Sequence, residues 1–274
     1  MKGLIKIHAR PKLKSPVMLA AWPGIGNVAM IVATYLKKKL DFKVLAEVEA
    51  SYFFDPIGIS VRDNVVEAPQ FPENSFYYWK NKAGTSDLIL FIGEDQPAAK
   101  GYELANCIMD AAVNFQVKRI YTCAAAMTRI HHTEMPRVWG VATSREVTED
   151  LKKYNLMQAS SMQIAGLNGL LLGVAKERKV EGICLLGEVP SYATRIQNPT
   201  AALAVLKSLA EVLDIDIDMV ELTGAAAESR ERMKQMAAQA MEEYIDFFTE
   251  PIWQRGDEEE GEGDEDDEDE DEEE

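Results

Sequence analysis

Three stretches of the chain repeat one pattern: an apolar run, a short loop of small residues, and a helix-length segment with few helix breakers. The apolar runs cover residues 17–22, 87–93 and 182–187. The segments predicted as helices after them cover residues 28–40, 99–115 and 200–213. A strand buried on both faces reads as an uninterrupted apolar run, which is typical of parallel sheets. The pattern predicts an α/β fold with candidate sites in the loops at the carboxyl ends of its strands.

The segments between these repeats predict a mixed sheet. Strands are predicted at residues 43–50, 118–123 and 137–143. Residues 51–82 are rich in aromatic and turn residues and read as antiparallel hairpin material, with a turn at residues 62–64. Residues 124–136 read as irregular, Ser144 is placed to cap a short helix, and another helix ends near Arg178. We expect a mixed central sheet flanked by helices.

The end of the chain divides into a helix and an acidic tail. One apolar stripe runs along a predicted helix at residues 224–248, formed by Met233, Met236, Ala240, Tyr244 and Phe247. This helix packs either on its own domain or on a neighbouring subunit. Residues 256–274 hold 16 acidic side chains and no lysine or arginine, a composition that predicts disorder. We expect an α/β core at residues 1–223, the helical segment at 224–255 and the tail at 256–274.

Charge and composition exclude some classes of function. The formal charge of −17 comes from the tail, because residues 1–255 hold 30 acidic and 29 basic side chains. The folded part has no basic excess that would indicate nucleic-acid binding. The tail is either a solubilising brush or a docking element for a basic partner surface. No apolar run is long enough for a signal peptide or a membrane span.

The three cysteines do not form a disulfide or zinc pattern. Cys107, Cys123 and Cys184 are far apart in sequence and fall in predicted helix or apolar strands. This usage indicates buried, reduced thiols in a cytoplasmic protein. Cys123 ends a predicted strand, but the three alanines that follow it supply no base to activate a nucleophile.

One loop resembles a dinucleotide-binding fingerprint. Residues 24–29 satisfy G-x-G-x-x-[GA] between a predicted strand and a predicted helix, and Glu47 and Glu49 follow about 20 residues later. Such a loop lets the backbone approach a pyrophosphate, and a carboxylate then binds the ribose. The alternative is a tight strand-to-helix turn, which the bulky Trp22-Pro23 directly before the loop favours.

Two carboxylates follow apolar strands in the same way. Glu94 and Glu188 each come directly after a glycine that ends an apolar run. If their strands are parallel neighbours, the two side chains share a pocket and one of them has a raised pKa. The alternative is that each carboxylate caps the helix that follows. His131, His132 and Glu134 could suggest a metal site, but adjacent histidines usually point apart and no further ligand lies at helical or hairpin spacing. They read as loop side chains.

Several segments together resemble the proteasome assembly chaperone 2 family. The resemblance begins in residues 21–29, Ala-Trp-Pro-Gly-Ile-Gly-Asn-Val-Ala, and extends in order to about residue 222. The other matching segments are residues 102–105, 136–143, 166–173, 181–188, 190–192 and 199–202. The ordered set is more specific than any single motif within it.

The resemblance implies a phosphorylase/hydrolase-like α/β fold in a cytoplasmic homo-oligomer, a trimer or larger. It also implies a non-enzymatic role, the binding of proteasome subunits or of another protein complex. Chaperones of this kind that dock on the proteasome α-ring often end in a hydrophobic residue, a tyrosine and one more residue. This chain ends Asp271-Glu272-Glu273-Glu274, so that docking mode is not expected here.

Two functional hypotheses follow, with an inert ancestral cleft as a third reading. The first is a protein-binding, assembly-chaperone-like homo-oligomer without catalytic residues, metal or cofactor. The second is a protein that binds an anionic ligand such as a nucleotide, in which Gly26→Val abolishes binding and leaves the fold intact. For the second, the candidate residues are Trp22, Pro23, Gly24, Gly26, Asn27, Glu94, Gly166, Asn168, Gly169, Glu188 and Tyr192.

Overall fold

The structure is a computed structural model that describes residues 3–56 and 58–249, with side chains described as far as residue 239. Its strands are β1 Ile5–Ile7, β2 Val17–Ala21, β3 Lys43–Val48, β4 Val61–Arg62, β5 Val65–Val66, β6 Asn74–Trp79, β7 Leu88–Gly93, β8 Arg119–Thr128, β9 Val138–Ala142 and β10 Glu181–Pro190. Its α-helices are α1 Val28–Lys39, α2 Gly101–Asn114, α3 Arg145–Leu151, α4 Leu167–Glu177, α5 Pro199–Leu213 and α6 Val220–Thr249.

Eight of the strands form one mixed sheet, as predicted. Their order is β1-β3-β6-β7-β2-β8-β10-β9. The four central strands β7, β2, β8 and β10 run parallel to one another, whereas β1, β3, β6 and β9 pair with their neighbours in antiparallel fashion. The carboxyl ends of the four parallel strands therefore meet at one edge of the sheet.

Helices cover both faces of the sheet. Along β2, Leu19 packs in a cluster with residues of α1 and α5, such as Val32 and Leu206. The alternate residue Met18 packs in a second cluster with residues of α2 and α4. Because successive side chains of a strand point to opposite faces, two buried clusters account for the uninterrupted apolar run in the sequence.

The predicted hairpin and helix cap are also present. Strands β4 and β5 pair with each other outside the main sheet, and the two turn residues Asp63 and Asn64 have φ values of 50° and 62°. Aspartate and asparagine tolerate this left-handed conformation, which the favoured two-residue hairpin turns require. The Ser144 side chain accepts a hydrogen bond from the backbone N–H of Val147 at the start of α3.

Two boundaries differ from the sequence-based prediction. Strand β8 continues to Thr128 instead of ending at residue 123, and part of the predicted irregular stretch is therefore strand. Alanines 124–126 have low strand propensity, but the parallel register with β10 extends to the pair Pro190↔Thr128 and holds them extended. Helix α6 begins at Val220, four residues before the predicted start at residue 224.

A pair of glycines tests the packing between sheet and helices. A Cβ atom on Gly187 would lie 2.8 Å from the carbonyl oxygen of Ala201 and 2.9 Å from Val205 Cγ2 in α5. Gly187→Ala is therefore expected to lower the free energy of unfolding by about 1–3 kcal/mol through overpacking. The matched control is Gly173→Ala in α4, because a Cβ there meets no atom within 4 Å.

Gly173→Ala is expected to raise the free energy of unfolding by about 0.5–1 kcal/mol, since alanine is the better helix former. Urea unfolding followed by circular dichroism measures both changes. Equal effects of the two substitutions would contradict the proposed close packing of β10 on α5.

The chain divides into two compact units, Met1–Arg230 and Glu231–Glu274. The predicted terminal helix corresponds to α6, in which Met233 is buried and Met236 is 53% exposed. The other three residues of the predicted stripe and the whole acidic tail lie outside the residues with described side chains. No helix within the described residues is long and apolar enough to cross a membrane.

Candidate functional site

A cavity of about 740 Å³ opens where β2 and β8 end, at the carboxyl edge of the parallel strands. Its walls come from residues 124–128 of β8, from residues 161–166 before α4, and from the loop between β2 and α1. The loop contributes Gly24 and Ile25, and the remaining described lining residues are Ala29, Gln96, Trp139 and Asn168. The sequence-predicted residues Gly24, Gly166 and Asn168 are therefore brought together.

Asn168 holds the end of β2. Its Oδ1 accepts a hydrogen bond from the backbone N–H of Trp22 and its Nδ2 donates to the Trp22 carbonyl, both at 3.2 Å. The Asn168 side chain is 4% exposed and the Trp22 side chain is fully buried. The carboxamide thus takes the place of a neighbouring strand for Trp22, at the point where β2 stops pairing.

The side-chain carboxamide of Gln96 links the loop after β2 to the start of α4. Its Nε2 donates to the carbonyl of Pro23 at 2.6 Å, and its Oε1 accepts from the backbone N–H of Leu167 at 2.8 Å. Gly166 has a φ of 73°, and a Cβ there would lie 2.7 Å from Gln96 Oε1. Sequence reasoning missed Gln96 as a site residue, although a lone carboxamide in the loop after a buried strand was the available signal.

Gly169, in the first turn of α4, allows a close approach of two backbone segments. A Cβ on Gly169 would collide with the carbonyl oxygen of Ile164, a main-chain atom of the cavity wall. The backbone N–H of Gly169 donates to the carbonyl of Gly166 at 3.1 Å. Gly166, through its positive φ, and Gly169, through its close contact with Ile164, therefore determine the backbone path into α4.

The fingerprint-like loop is a tight turn in which the N–H groups of Gly26 and Asn27 donate hydrogen bonds to backbone carbonyls of the protein. Gly26 has a φ of 61°, its N–H donates to the carbonyl of Thr194, and its carbonyl accepts from the N–H of Asn198. Asn27 has a φ of 52° and donates to the carbonyl of Gly24. A phosphate site at a helix N-terminus needs amide groups directed at the ligand, and these two are directed at protein carbonyls.

The structure also corrects the expectation that Gly26→Val leaves the fold intact. A Cβ on Gly26 would lie 3.1 Å from Asn198 Cβ, and a β-branched residue is strongly disfavoured at a φ of 61°. The substitution is therefore a perturbation of the fold as well as of the loop.

The acidic residues expected to complete the fingerprint lie elsewhere. Glu47 is in β3, which is separated from β2 by β6 and β7 in the sheet. Its carboxylate pairs with Lys6 at 2.8 Å and with His8 at 3.1 Å. Glu49 accepts a hydrogen bond from Ser51 Oγ. In a dinucleotide-binding fold the acidic strand adjoins the glycine-rich loop, and that adjacency is missing in this sheet order.

The predicted pair of Glu94 and Glu188 does not form. Strands β7 and β10 are parallel but have β2 and β8 between them, so the two carboxylates are not neighbours. Glu94 is exposed and accepts from the backbone N–H of Glu73 at 2.8 Å. Glu188 is bound by Arg137. Neither carboxylate makes the predicted helix cap, because both bind groups outside the helix that follows.

The Glu188 carboxylate is buried and ionically paired. It is 1% exposed, and it accepts from Arg137 Nε at 3.0 Å, Arg137 Nη2 at 2.9 Å and the Arg137 backbone N–H at 2.9 Å. Burial alone would raise the pKa of Glu188, but the hydrogen bonds and charge of Arg137 outweigh it and hold the pKa below its usual range. The carboxylate is therefore a structural anion at neutral pH.

This arrangement predicts a pH-dependent contribution to stability. Because the pKa of Glu188 is lower in the folded than in the unfolded chain, its stabilisation is present above the unfolded pKa and is lost as pH falls through the folded pKa. The stability difference between the unmodified chain and Glu188→Gln should shrink between about pH 6 and about pH 3. Urea unfolding across this range measures it. The exposed Glu211→Gln is the control, and a constant difference for Glu188→Gln would contradict the expectation.

Tyr192 lies in the loop after β10 and contacts the loop between β8 and β9. Its hydroxyl accepts from the backbone N–H of His132 at 2.9 Å and lies 3.0 Å from His132 Nδ1. Burial and the adjacent His131 lower the pKa of His132. Among the described residues, histidine, cysteine and acidic side chains form no group of three that could hold a metal ion.

The three cysteines are free and buried, as predicted. Burial raises the pKa of Cys107 to about 11 and that of Cys184 to about 12, and it raises the pKa of Cys123 well above its usual range. A nucleophilic cysteine needs a lowered pKa and an accessible sulfur. These thiols therefore contribute to core packing.

Comparison with known proteins identifies the family. The chain is 30% identical to Pyrococcus furiosus PbaB, described as an archaeal proteasome activator; the match covers 85% of this chain and 98% of PbaB, with a TM-score of 0.71. P. furiosus PbaA, described as an archaeal homolog of proteasome-assembly chaperone, is 22% identical over 88% of this chain and 99% of its own, with a TM-score of 0.65.

An uncharacterised protein of Methanocaldococcus jannaschii is 26% identical to this chain over 90% of both chains. The sequence model of the PAC2 family matches residues 18–237, which include the whole sheet except β1 and the first residue of β2. The chain belongs to the PAC2 family.

Proposed function

We propose that this protein is a non-enzymatic, cytoplasmic binding protein that acts as a homo-oligomer on proteasome subunits, as an assembly chaperone or an activator. The observation that carries the proposal is the 30% identity to PbaB over nearly the whole of that protein. PbaB is described as a proteasome activator, and PbaA, with the same fold, as a homolog of an assembly chaperone.

The surface offers apolar side chains that a protein partner could cover. In the β4–β5 hairpin, Val61, Val65 and Val66 are 62%, 66% and 62% exposed, and Ile59 before it is 54% exposed. Clustered apolar side chains on a surface are typical of contacts with other proteins. The hairpin therefore supports a role in protein binding.

An enzymatic or anion-binding role has less support. The described walls of the cavity carry amide, hydroxyl and apolar groups but no charged side chain. The fingerprint-like loop directs its Gly26 and Asn27 amide groups at protein carbonyls. Among the described residues, the buried carboxylate at this edge is Glu188, and it is bound by Arg137.

Co-sedimentation with the proteasome of the source organism tests the proposal. The full chain is mixed with purified α-subunits and, separately, with the assembled core particle, at low and high salt. We expect the chain to sediment with one of the two at low salt. If the chain sediments separately from both the α-subunits and the core particle in every mixture, the proposal is overturned. Multi-angle light scattering of the chain alone tests the homo-oligomer, and a monomer would contradict that part.

A variant that ends at Arg255 separates the contribution of the acidic tail. If the tail contacts a basic surface of the partner, its removal weakens binding and reduces the salt dependence. If the tail is only a solubilising brush, the variant binds as the full chain does. Either result leaves the binding activity of the folded part measurable by the same sedimentation.

A further inference from the structure

One edge of β8 is paired with a neighbouring strand over only part of its length. On one side, β10 pairs with β8 along all ten residues, from Arg119 to Thr128. On the other side, β2 pairs with β8 only from Ile120 to Thr122, and within the described residues no other strand adjoins this edge. Residues 124–128 therefore have a strand neighbour on one side only.

The open edge faces the cavity. In a strand, the main-chain N–H and carbonyl groups point alternately to the two sides, so some of those in residues 124–128 point away from β10. All five residues line the 740 Å³ cavity, whose walls also include the irregular segment at residues 161–166. In the part of the chain that the structure describes, the backbone of residues 124–127 makes no hydrogen bond outside its pairing with β10. Such unpaired main-chain groups in a partly enclosed space are a template for another strand.

We propose that this edge binds an extended peptide segment, which adds to the sheet next to residues 124–128 of β8. The five residues span about 16 Å at about 3.3 Å per residue. Ala124, Ala125 and Ala126 leave room beside the backbone, and the cavity volume is in the range of ligand sites. Main-chain hydrogen bonds supply the affinity in this mode of recognition, and pockets for alternate side chains supply the specificity.

The lining selects the chemistry of the peptide. Ile25, Met162 and Ile164 present apolar surface, and none of the described lining residues is charged. A charged peptide side chain would lose hydration in the cavity without gaining an ionic partner. The site therefore fits an uncharged segment with small or apolar side chains.

The peptide comes from another protein and not from the acidic tail of this chain. Residues 256–274 hold 16 carboxylates among 19 residues, and the described cavity walls offer no cation to any of them. The inference goes beyond the proposed function, because it requires an extended segment of stated chemistry and is independent of whether a proteasome subunit supplies it.

Hydrogen exchange measured by mass spectrometry tests the inference on the full chain. The probe is a pool of capped hexapeptides composed of alanine, valine, serine and threonine; the control pool has glutamate at two positions. We expect the first pool to slow exchange of two or three amides within residues 124–128, and the acidic pool to leave it unchanged. Equal protection by both pools, or none by the first pool at its solubility limit, would overturn the inference.

N-methylation of the best-binding hexapeptide distinguishes strand addition from simple filling of the cavity. Alternate peptide amides point to β8 in an added strand, so methyl groups at every second position should reduce affinity at least tenfold. Methyl groups at the intervening positions should be tolerated. Uniform effects along the peptide would overturn the strand-addition geometry.

Variants of the cavity provide a second readout. Ala124→Phe fills the space beside the strand, and Met127→Arg places a charge on the rim, where Met127 is 59% exposed. Val113→Arg is the matched control on α2, where Val113 is 58% exposed. Thermal unfolding shows which variants fold. Peptide protection should be lost in the folded cavity variants and kept in Val113→Arg, and retention in folded Met127→Arg and Ala124→Phe would overturn the inference.

Discussion

Trp22→Ala is expected to lower the free energy of unfolding by about 3–5 kcal/mol, the largest effect of any substitution considered for this chain. The Trp22 side chain is fully buried, its ring centroid lies 5.1 Å from that of Phe91, and the indole packs over Gly93. Removal of the indole leaves a cavity between β2 and β7 that the strands cannot close. Urea unfolding followed by circular dichroism measures the loss.

Two further variants separate this effect from a general sensitivity to aromatic replacement. Tyr102→Ala, at a side chain that is 50% exposed, should change the free energy of unfolding by much less. A Cβ on Gly93 would collide with the Trp22 indole, so Gly93→Ala is destabilising alone. In combination with Trp22→Ala it should cost less than the sum of the two. Strict additivity would contradict the packing of the indole on Gly93.

Asn168→Leu is expected to lower the free energy of unfolding by about 2–4 kcal/mol. Leucine is similar in size, but it leaves the backbone N–H and carbonyl of Trp22 without their partner. An orphaned buried polar group costs about 1–3 kcal/mol, and two of them are created here. The same unfolding measurement applies, and faster hydrogen exchange at the end of β2 should accompany the loss.

The controls for Asn168 use the chemistry of its carboxamide. Asn168→Asp keeps an acceptor for the N–H of Trp22 and removes the donor to its carbonyl, so it is also expected to destabilise the chain. Asn106→Leu replaces an asparagine whose Nδ2 bonds a carbonyl of its own helix and whose Oδ1 accepts from Arg178; both bonds are exposed to solvent, so it should have a small effect. A neutral Asn168→Leu would contradict the role assigned to this side chain.

The parts of the fold that depend on burial could be predicted from the sequence. Residues 88–93 are apolar because β7, at Leu88–Gly93, is buried on both faces, and the strand predicted at residues 87–93 agrees with it to within one residue for that reason. The extension of β8 could not be predicted in this way. Alanines carry little strand preference, and only the neighbouring β10 holds residues 124–128 extended.

The candidate site was predicted in part. The loop after β2 and the segment before α4 do meet, because α4 leads directly into the start of the parallel strand β10 and its own first residues therefore lie at the carboxyl edge of the sheet. Glu94 and Glu188 were expected to be neighbours because both follow apolar strands, but sequence order does not determine the order of strands in a sheet. Gln96 was missed because a single carboxamide carries no spacing pattern.

Several residues that carry the family resemblance have structural roles in this fold. Trp22 fills the space over Gly93, Gly26 makes a turn at positive φ, and Asn168 bonds the backbone of Trp22. Gly187 allows α5 to approach β10. A fingerprint-like segment in such a chain therefore reports how the loops are joined, and it does not by itself indicate a bound nucleotide.

The inaccessible cysteines make this chain convenient for site-specific labelling. The sequence has three cysteines, all buried, and their raised pKa values leave almost no thiolate at neutral pH. A maleimide reagent reacts with the thiolate of an accessible cysteine, so the native thiols should react slowly in the folded protein. A single cysteine introduced at Met127 or Val65 would then carry a fluorophore or photocrosslinker without prior removal of the native ones.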